Sequence, residues 1–180
     1  MSYLYKESPV EVSLDYPLYQ SKKGKYFIGE TPIISGSTQH ALAALVNPCN
    51  SKINIFVNAI TITNISPSNL SADFYLRSTF NNGVVSNLVT CVNTSIYPEP
   101  LHKGQIVYLT AATEAPTGGV SIFSRISSPY STLVVDGGQM ILGPGQCLVV
   151  YIGGFIPKTF DNIKFAMGWW EEDICPRYCY

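Results

Sequence analysis

A chain of 180 residues is long enough for one good hydrophobic core and is most economically a single domain. Hydrophobic residues make up 46% and charged residues 13%, against about 25% charged in an average soluble domain, so little of the surface is ionic and cover by copies of the chain or by a partner is favoured. The net charge of -1 gives no electrostatic footprint for nucleic acid, and the most apolar run, CLVVYIGGFIP, is about half the length of a membrane-crossing helix.

Residues 1–37 differ from the rest. They hold half of the lysines and five tyrosines, Tyr3, Tyr5, Tyr16, Tyr19 and Tyr26, with no sustained helical or strand period. They read as an N-terminal arm that lies across its own domain or a neighbour, with Tyr3, Tyr5, Tyr16 and Tyr19 as its contact residues, because tyrosine joins an apolar body to a polar tip. The lysines of SKKGKYF read as a solvated turn. The opening MSYLYKESPVEV lacks the apolar centre and cleavage site of a secretory signal. Synthesis in a cytoplasm without a signal peptide is therefore expected.

From residue 38 to 173 the pattern is that of a β-sandwich domain. QHALAALVNP has helix-favouring residues but runs through Asn47-Pro48 directly into a strand, and is read as a strand itself. INIFVNAITITN places Ile53, Ile55 and Val57 on one face, then Ile60 and Ile62 take over. The phase slips near Asn58–Ala59, as at a bulge or where a strand bends between sheets. ADFYLRSTF alternates Ala72, Phe74, Leu76 and Phe80 with Asp73, Tyr75, Arg77 and Thr79. VSIFSRI sets Val120, Ile122 and Ile126 on one side, and IKFAMGW aligns Ile163, Phe165, Met167 and Trp169. Turn chemistry (NPCNS, SPSN, NNG, APTGG, DGG, GPGQ) recurs about every ten residues. The fold class expected is all-β, a jelly-roll β-sandwich of roughly eight to ten strands.

No catalytic, cofactor or metal site is expected. His40 and His102 are isolated from each other and from any cysteine pair. GWWEED sets Glu171, Glu172 and Asp173 beside Trp169 and Trp170. A glycosidase pair faces across a cleft from separate elements, so this run reads as one buried Trp, one partly exposed Trp and a solvated acidic end. Three N-x-S/T triplets begin at Asn64, Asn69 and Asn93 and, without a signal peptide, read as chance.

Five cysteines are present, an odd number. Cys91 and Cys147 sit in apolar runs and read as buried hydrophobes. Cys49, in the turn NPCNS, and Cys175 and Cys179, in the tail of residues 174–180, are the candidates for exposed chemistry. The spacing CPRYC is longer than a thioredoxin-type pair and has no βαβ context. Intersubunit disulfides through Cys175, Cys179 and Cys49 are one reading; an intrachain clip to Cys49, or free thiols, are the others.

Three stretches, ALVNPCNSKINIFVNAITITNIS, GGVSIFSRISSPYSTLVVDGGQMILGPGQCLVVYI and FAMGWWEE, together resemble an uncharacterised jelly-roll-like family of spore-forming Firmicutes over roughly residues 25 to 173. More distantly, the pattern is similar to the jelly-roll subunits of endospore appendages, whose N-terminal connector reaches into the next subunit and forms disulfides with it. The arm here matches in position but carries no cysteine, so any crosslink must come from Cys175 and Cys179, against Cys49. The resemblance implies the fold and the setting; with the arm, the tail thiols and the low charge, the function expected is a self-assembling structural subunit of an extracellular or spore-surface fibre or layer, with copies of itself as partners. A glycan-binding module for surface polysaccharide, or a virion structural protein of the same fold, is the alternative; an enzyme is not expected.

Overall fold

The computed structural model describes residues 13–35, 40–79, 83–112, 114–153 and 162–174. They form one helix, α1 (Tyr16–Lys22), and twelve strands. In chain order these are β1 (Tyr26–Glu30), β2 (Ile34–Ser35), β3 (His40–Val46), β4 (Ile53–Asn64), β5 (Leu70–Leu76), β6 (Val84–Val85), β7 (Val89–Cys91), β8 (Gln105–Ala112), β9 (Val120–Ser127), β10 (Ser131–Leu142), β11 (Cys147–Ile152) and β12 (Asn162–Asp173).

Two antiparallel sheets pack face to face. Sheet A runs β10-β4-β12-β1-β7, with β2 also on β12; sheet B runs β6-β8-β3-β11-β5-β9. From β3 to β5 and again from β9 to β12, consecutive strands alternate between the sheets. Sheet A therefore contains β10-β4-β12-β1 and sheet B contains β3-β11-β5-β9, the interleaved order of a jelly roll. The remaining short strands and β8 extend these two quartets.

The alternating sequences build the core. Ile53, Ile55, Val57, Ile60 and Ile62 of β4 face Ala41, Ala43, Leu45, Phe74, Leu148 and Val150 of sheet B in one cluster, with Ile163, Phe165, Met167 and Trp169 of β12. Trp169 is fully buried, and a side chain of this kind contributes roughly 1.5–3 kcal/mol by leaving water. The phase slip in β4 is a bulge. Gly168 pairs with Ala59 and Trp169 with Val57, which leaves Asn58 as the extra residue. The strand continues in sheet A and does not cross to the other sheet.

β3 and β11 lie in the middle of sheet B and are buried on both faces. Leu42, Ala44, Ala112, Cys147, Val149 and Tyr151 form a second apolar cluster. Strands buried on both faces have no need to alternate, which is why HALAALV carries helix-like composition yet forms a strand.

Two expectations are corrected. Val120 and Ile126 are exposed, while Ile122 and Phe123 pack on the core. In the β5–β9 pairing Phe74 meets Phe123 and Tyr75 meets Ser121, so Ile122 is an inserted residue and consecutive side chains turn inward. The stretch assigned to an arm up to residue 37 also holds regular structure. β1 lies between β12 and β7 inside sheet A, and α1 packs on β1 and β12. Phe27 is inward and Ile28 outward, so β1 is apolar on both faces and shows no period.

Candidate functional site

At the acidic end of β12 Asp173 is exposed, as expected, but Glu171 and Glu172 are built into the protein, contrary to the solvated end expected from sequence. Glu171 is only 6% exposed. Its carboxylate accepts hydrogen bonds from the backbone N–H groups of Lys103 (3.0 Å) and Gly104 (2.8 Å) and from Trp169 Nε1 (3.1 Å). Gly104 must be glycine for this approach, since a Cβ there would lie 2.7 Å from Ile55 Cδ1 and 2.9 Å from Trp169 Nε1. Glu172 Oε1 accepts from Tyr16 Oη (2.7 Å), Gln20 Nε2 (2.9 Å) and Trp170 Nε1 (3.1 Å). Trp170, expected to be partly exposed, is buried. Phe56 stacks on it at 5.2 Å, and Tyr16 meets it edge-on at 5.8 Å. These carboxylates fasten α1 and the loop at Lys103 to β12.

Tyr16 and Tyr19 therefore contact their own domain. Their rings lie 5.9 Å apart, and the Lys23 ammonium sits 4.3 Å over the Tyr19 ring. The hydrogen bond to Glu172 raises the Tyr16 hydroxyl above its ordinary pKa, because ionising it would set two negative charges together. Tyr3 and Tyr5 lie outside the described residues, as do Phe80, Cys175 and Cys179.

Of the candidate cysteines, Cys49 is an exposed free thiol in the turn between β3 and β4. Cys91 and Cys147 are buried thiols, as expected. Burial pushes the Cys147 thiol pKa up, and its sulfur donates to the Ser78 carbonyl at 3.2 Å.

Two surfaces offer room for a partner. On the face of sheet A turned from the core, a trough of about 430 Å³ is lined by Tyr26, Ile28, Ala59, Thr61, Ala166 and Gly168, among others. Tyr26 lies over Gly168 in it, where a Cβ would come 2.6 Å from Tyr26 Oη. Along the opposite side, β9 ends sheet B and β10 ends sheet A. Among the described residues each pairs on one side only. Val134 and Ile141 on β10 are 68% and 58% exposed. Between the two edges Ile122, Phe123, Gly137 and Met140 line a slot of about 370 Å³.

A buried polar group also emerges that the sequence pattern had placed on a solvent face. Asp73 is buried in β5 opposite Tyr151, and one of its oxygens has no hydrogen-bond partner. Tyr151 Oη lies 2.8 Å from His40 Nδ1, and the two rings stack at 5.4 Å. His102 bonds the Gly104 carbonyl through Nδ1 at 2.8 Å. Both histidines thus have local structural partners. Among the described residues no cluster of three His, Cys, Asp or Glu side chains could hold a metal ion, and no helix is long and apolar enough to cross a membrane.

The chain matches the model of a family of unknown function (DUF6143) over residues 3–177, and it belongs to that family. No curated protein and no solved structure matches it significantly.

Proposed function

We propose that the protein is a structural subunit that assembles with copies of itself, through strand addition, into a fibre or layer at a spore surface or outside the cell. The observation that carries this reading is β10. Among the described residues it is a twelve-residue edge strand with an open backbone on one side and exposed Val134 and Ile141. Long edges are ordinarily blunted by Lys, Pro, bulges or short length, because they template pairing with another chain. β10 contains neither Lys nor Pro and its one charge is Asp136; its pairing with β4 is irregular between Asp136 and Met140, so the regular part of the edge is Ser131–Asp136. An extended segment laid on this edge would gain main-chain hydrogen bonds, with side chains seated against the neighbouring slot. A head-to-tail contact of this sort that does not close into a ring propagates as a filament. The resemblance to endospore appendage subunits supports the setting.

The trough on sheet A favours a second reading, a glycan-binding module. Its apolar floor and the hydroxyls of Tyr26, Thr61 and Thr90 are the chemistry that a sugar face uses.

The test is sedimentation and electron microscopy of concentrated protein beside the Val134→Lys, Ile141→Lys double variant. The parent is expected to form extended assemblies and the variant to remain monomeric with an unchanged melting temperature. A parent that stays monomeric while binding polysaccharide saturably refutes assembly and favours the second reading.

A further inference from the structure

The hydrogen-bond phase of β4 decides which groups of β10 are open. The Ile65 amide donates to the Asn162 carbonyl at 2.9 Å, so residue 65 is turned toward β12. On the other side of β12 the Thr31 amide donates to the Phe165 carbonyl at 2.9 Å, which agrees with this phase. In an antiparallel ladder the bonding direction alternates residue by residue. Asn64 is therefore turned toward β10, where it is paired with Ser131. Ser131, Leu133 and Val135 bond to β4, and the N–H and C=O groups of Thr132, Val134 and Asp136 point out from the edge. The side chains of these three are exposed on the outer face of sheet A, whereas Leu133 and Val135 pack on the core.

Two edges are open on this side among the described residues, and they differ. β9 carries Arg125, which pairs with the core residue Ala72 and holds its guanidinium 4.7 Å over the Phe123 ring. A charge on the inward face of an edge, next to the insertion at Ile122, hinders pairing. β10 has neither an inward charge nor a bulge between Thr132 and Asp136.

The run Thr132–Asp136 is complementary to itself. Set antiparallel to its own copy with Val134 opposite Val134, it places Thr132 opposite Asp136 and Leu133 opposite Val135. Opposed residues then share a face, and every open N–H and C=O of the run meets a partner. Two main-chain hydrogen bonds form at Val134 and two at each Thr132–Asp136 pair. Each Asp136, the one charge of β10, comes beside a Thr132 hydroxyl and away from the other Asp136. On the inner face Leu133 of one chain meets Val135 of the other. A slip of two residues in either direction keeps only the Thr132–Val134 or the Val134–Asp136 pairs, and a slip of one sets inward against outward side chains.

We propose that two copies join through β10, antiparallel about a two-fold axis at Val134, so that sheet A of one chain continues into sheet A of the other. This rests on the proposed use of β10 between copies and names the segment that covers it. A two-fold contact closes on itself, so the dimer is the unit from which a fibre or layer is laid, through a different surface. The paired run is shorter than a standard interface requires, so the dimer is expected to accumulate in concentrated protein.

The experiment places single cysteines in the full-length chain with Cys49, Cys175 and Cys179 changed to serine. Val134→Cys, Thr132→Cys and Asp136→Cys are treated with oxidised glutathione and run on an unreduced denaturing gel. Val134→Cys is expected to link to itself on the order of tenfold faster than either of the others alone, because paired thiols meet at an effective concentration far above that of free chains. Thr132→Cys and Asp136→Cys chains are expected to link to each other when mixed. Equal rates for the three variants, or preferential linking of Thr132→Cys to Val134→Cys, would overturn the register. Val134→Pro supplies a second measurement. The Val134 N–H is open in the single chain, so proline removes no ladder bond there but removes both bonds at the two-fold axis. An unchanged melting temperature in dilute solution and no dimer in sedimentation equilibrium are expected, and association equal to the parent's would overturn the proposal. Dimers without larger assemblies would count against the proposed function alone. Larger assemblies with no preference for position 134 would count against this contact alone.

Discussion

Glu171 is where the structure departs furthest from its sequence context, and its removal gives the sharpest test of the fold. Three buried or part-buried N–H groups, of Lys103, Gly104 and Trp169, point at its carboxylate within 3.1 Å. A hydrogen bond to a charged acceptor contributes about 1.5–3 kcal/mol, and a buried donor left without a partner costs about 1–3 kcal/mol. Glu171→Ala strands all three, and water entering the vacated space recovers part of the loss. The expected cost is about 3–5 kcal/mol, a large share of the roughly 5–15 kcal/mol that holds a domain folded. Glu171→Gln keeps an oxygen for the three donors but turns an NH₂ toward the Lys103 amide, so about 1–2 kcal/mol is expected. Urea unfolding followed by tryptophan fluorescence measures both, and the native emission of Glu171→Ala should shift to the red as water reaches Trp169. An alanine cost under about 1 kcal/mol, or a glutamine cost equal to it, would show that the carboxylate does not anchor the loop.

Gly168→Ala drives a Cβ to 2.6 Å from Tyr26 Oη, a hydroxyl that accepts from Asn58 Nδ2 at 2.9 Å. It is expected to cost about 1–3 kcal/mol, and Tyr26→Phe in the same chain should recover part of it, so a double-mutant cycle by chemical denaturation should show a favourable coupling. Asp173 is held below the usual carboxylate range by its hydrogen bond and ion pair with Lys25, with Lys103 adding to it. A lowered folded-state pKa contributes stability above the unfolded value, near pH 4, and that stability is lost as pH falls through the folded value. The pair is exposed, so Asp173→Asn should cost no more than about 0.5 kcal/mol at pH 6. The difference should vanish at pH 2 and in 1 M salt when melting temperatures are compared.

The sequence made β4 and β12 legible down to the bulge at Asn58, because each buries one face and its residues must alternate to do so. It concealed β1, whose Phe27 and Ile28 are apolar on opposite faces, and it misread β9, where the inserted Ile122 shifts the phase in mid-strand. Glu171 was illegible for another reason. Its burial depends on a loop at Lys103–Gly104, far away in the chain, and no local pattern encodes such a partner. The exposed thiol of Cys49 followed from turn chemistry alone. The proposed partners rest on an open edge, which is a property of the sheet order and not of any single strand.

The pairing of β1 with β12 also sets how the subunit would bear a load. β1 begins at Tyr26 beside Trp170, close to where β12 ends. Tension applied between the segment before β1 and the segment after β12 therefore pulls the two strands apart from one end. Their hydrogen bonds break in succession, as a zipper opens, instead of resisting together in shear. A filament loaded through these two segments would yield at low force, one subunit at a time.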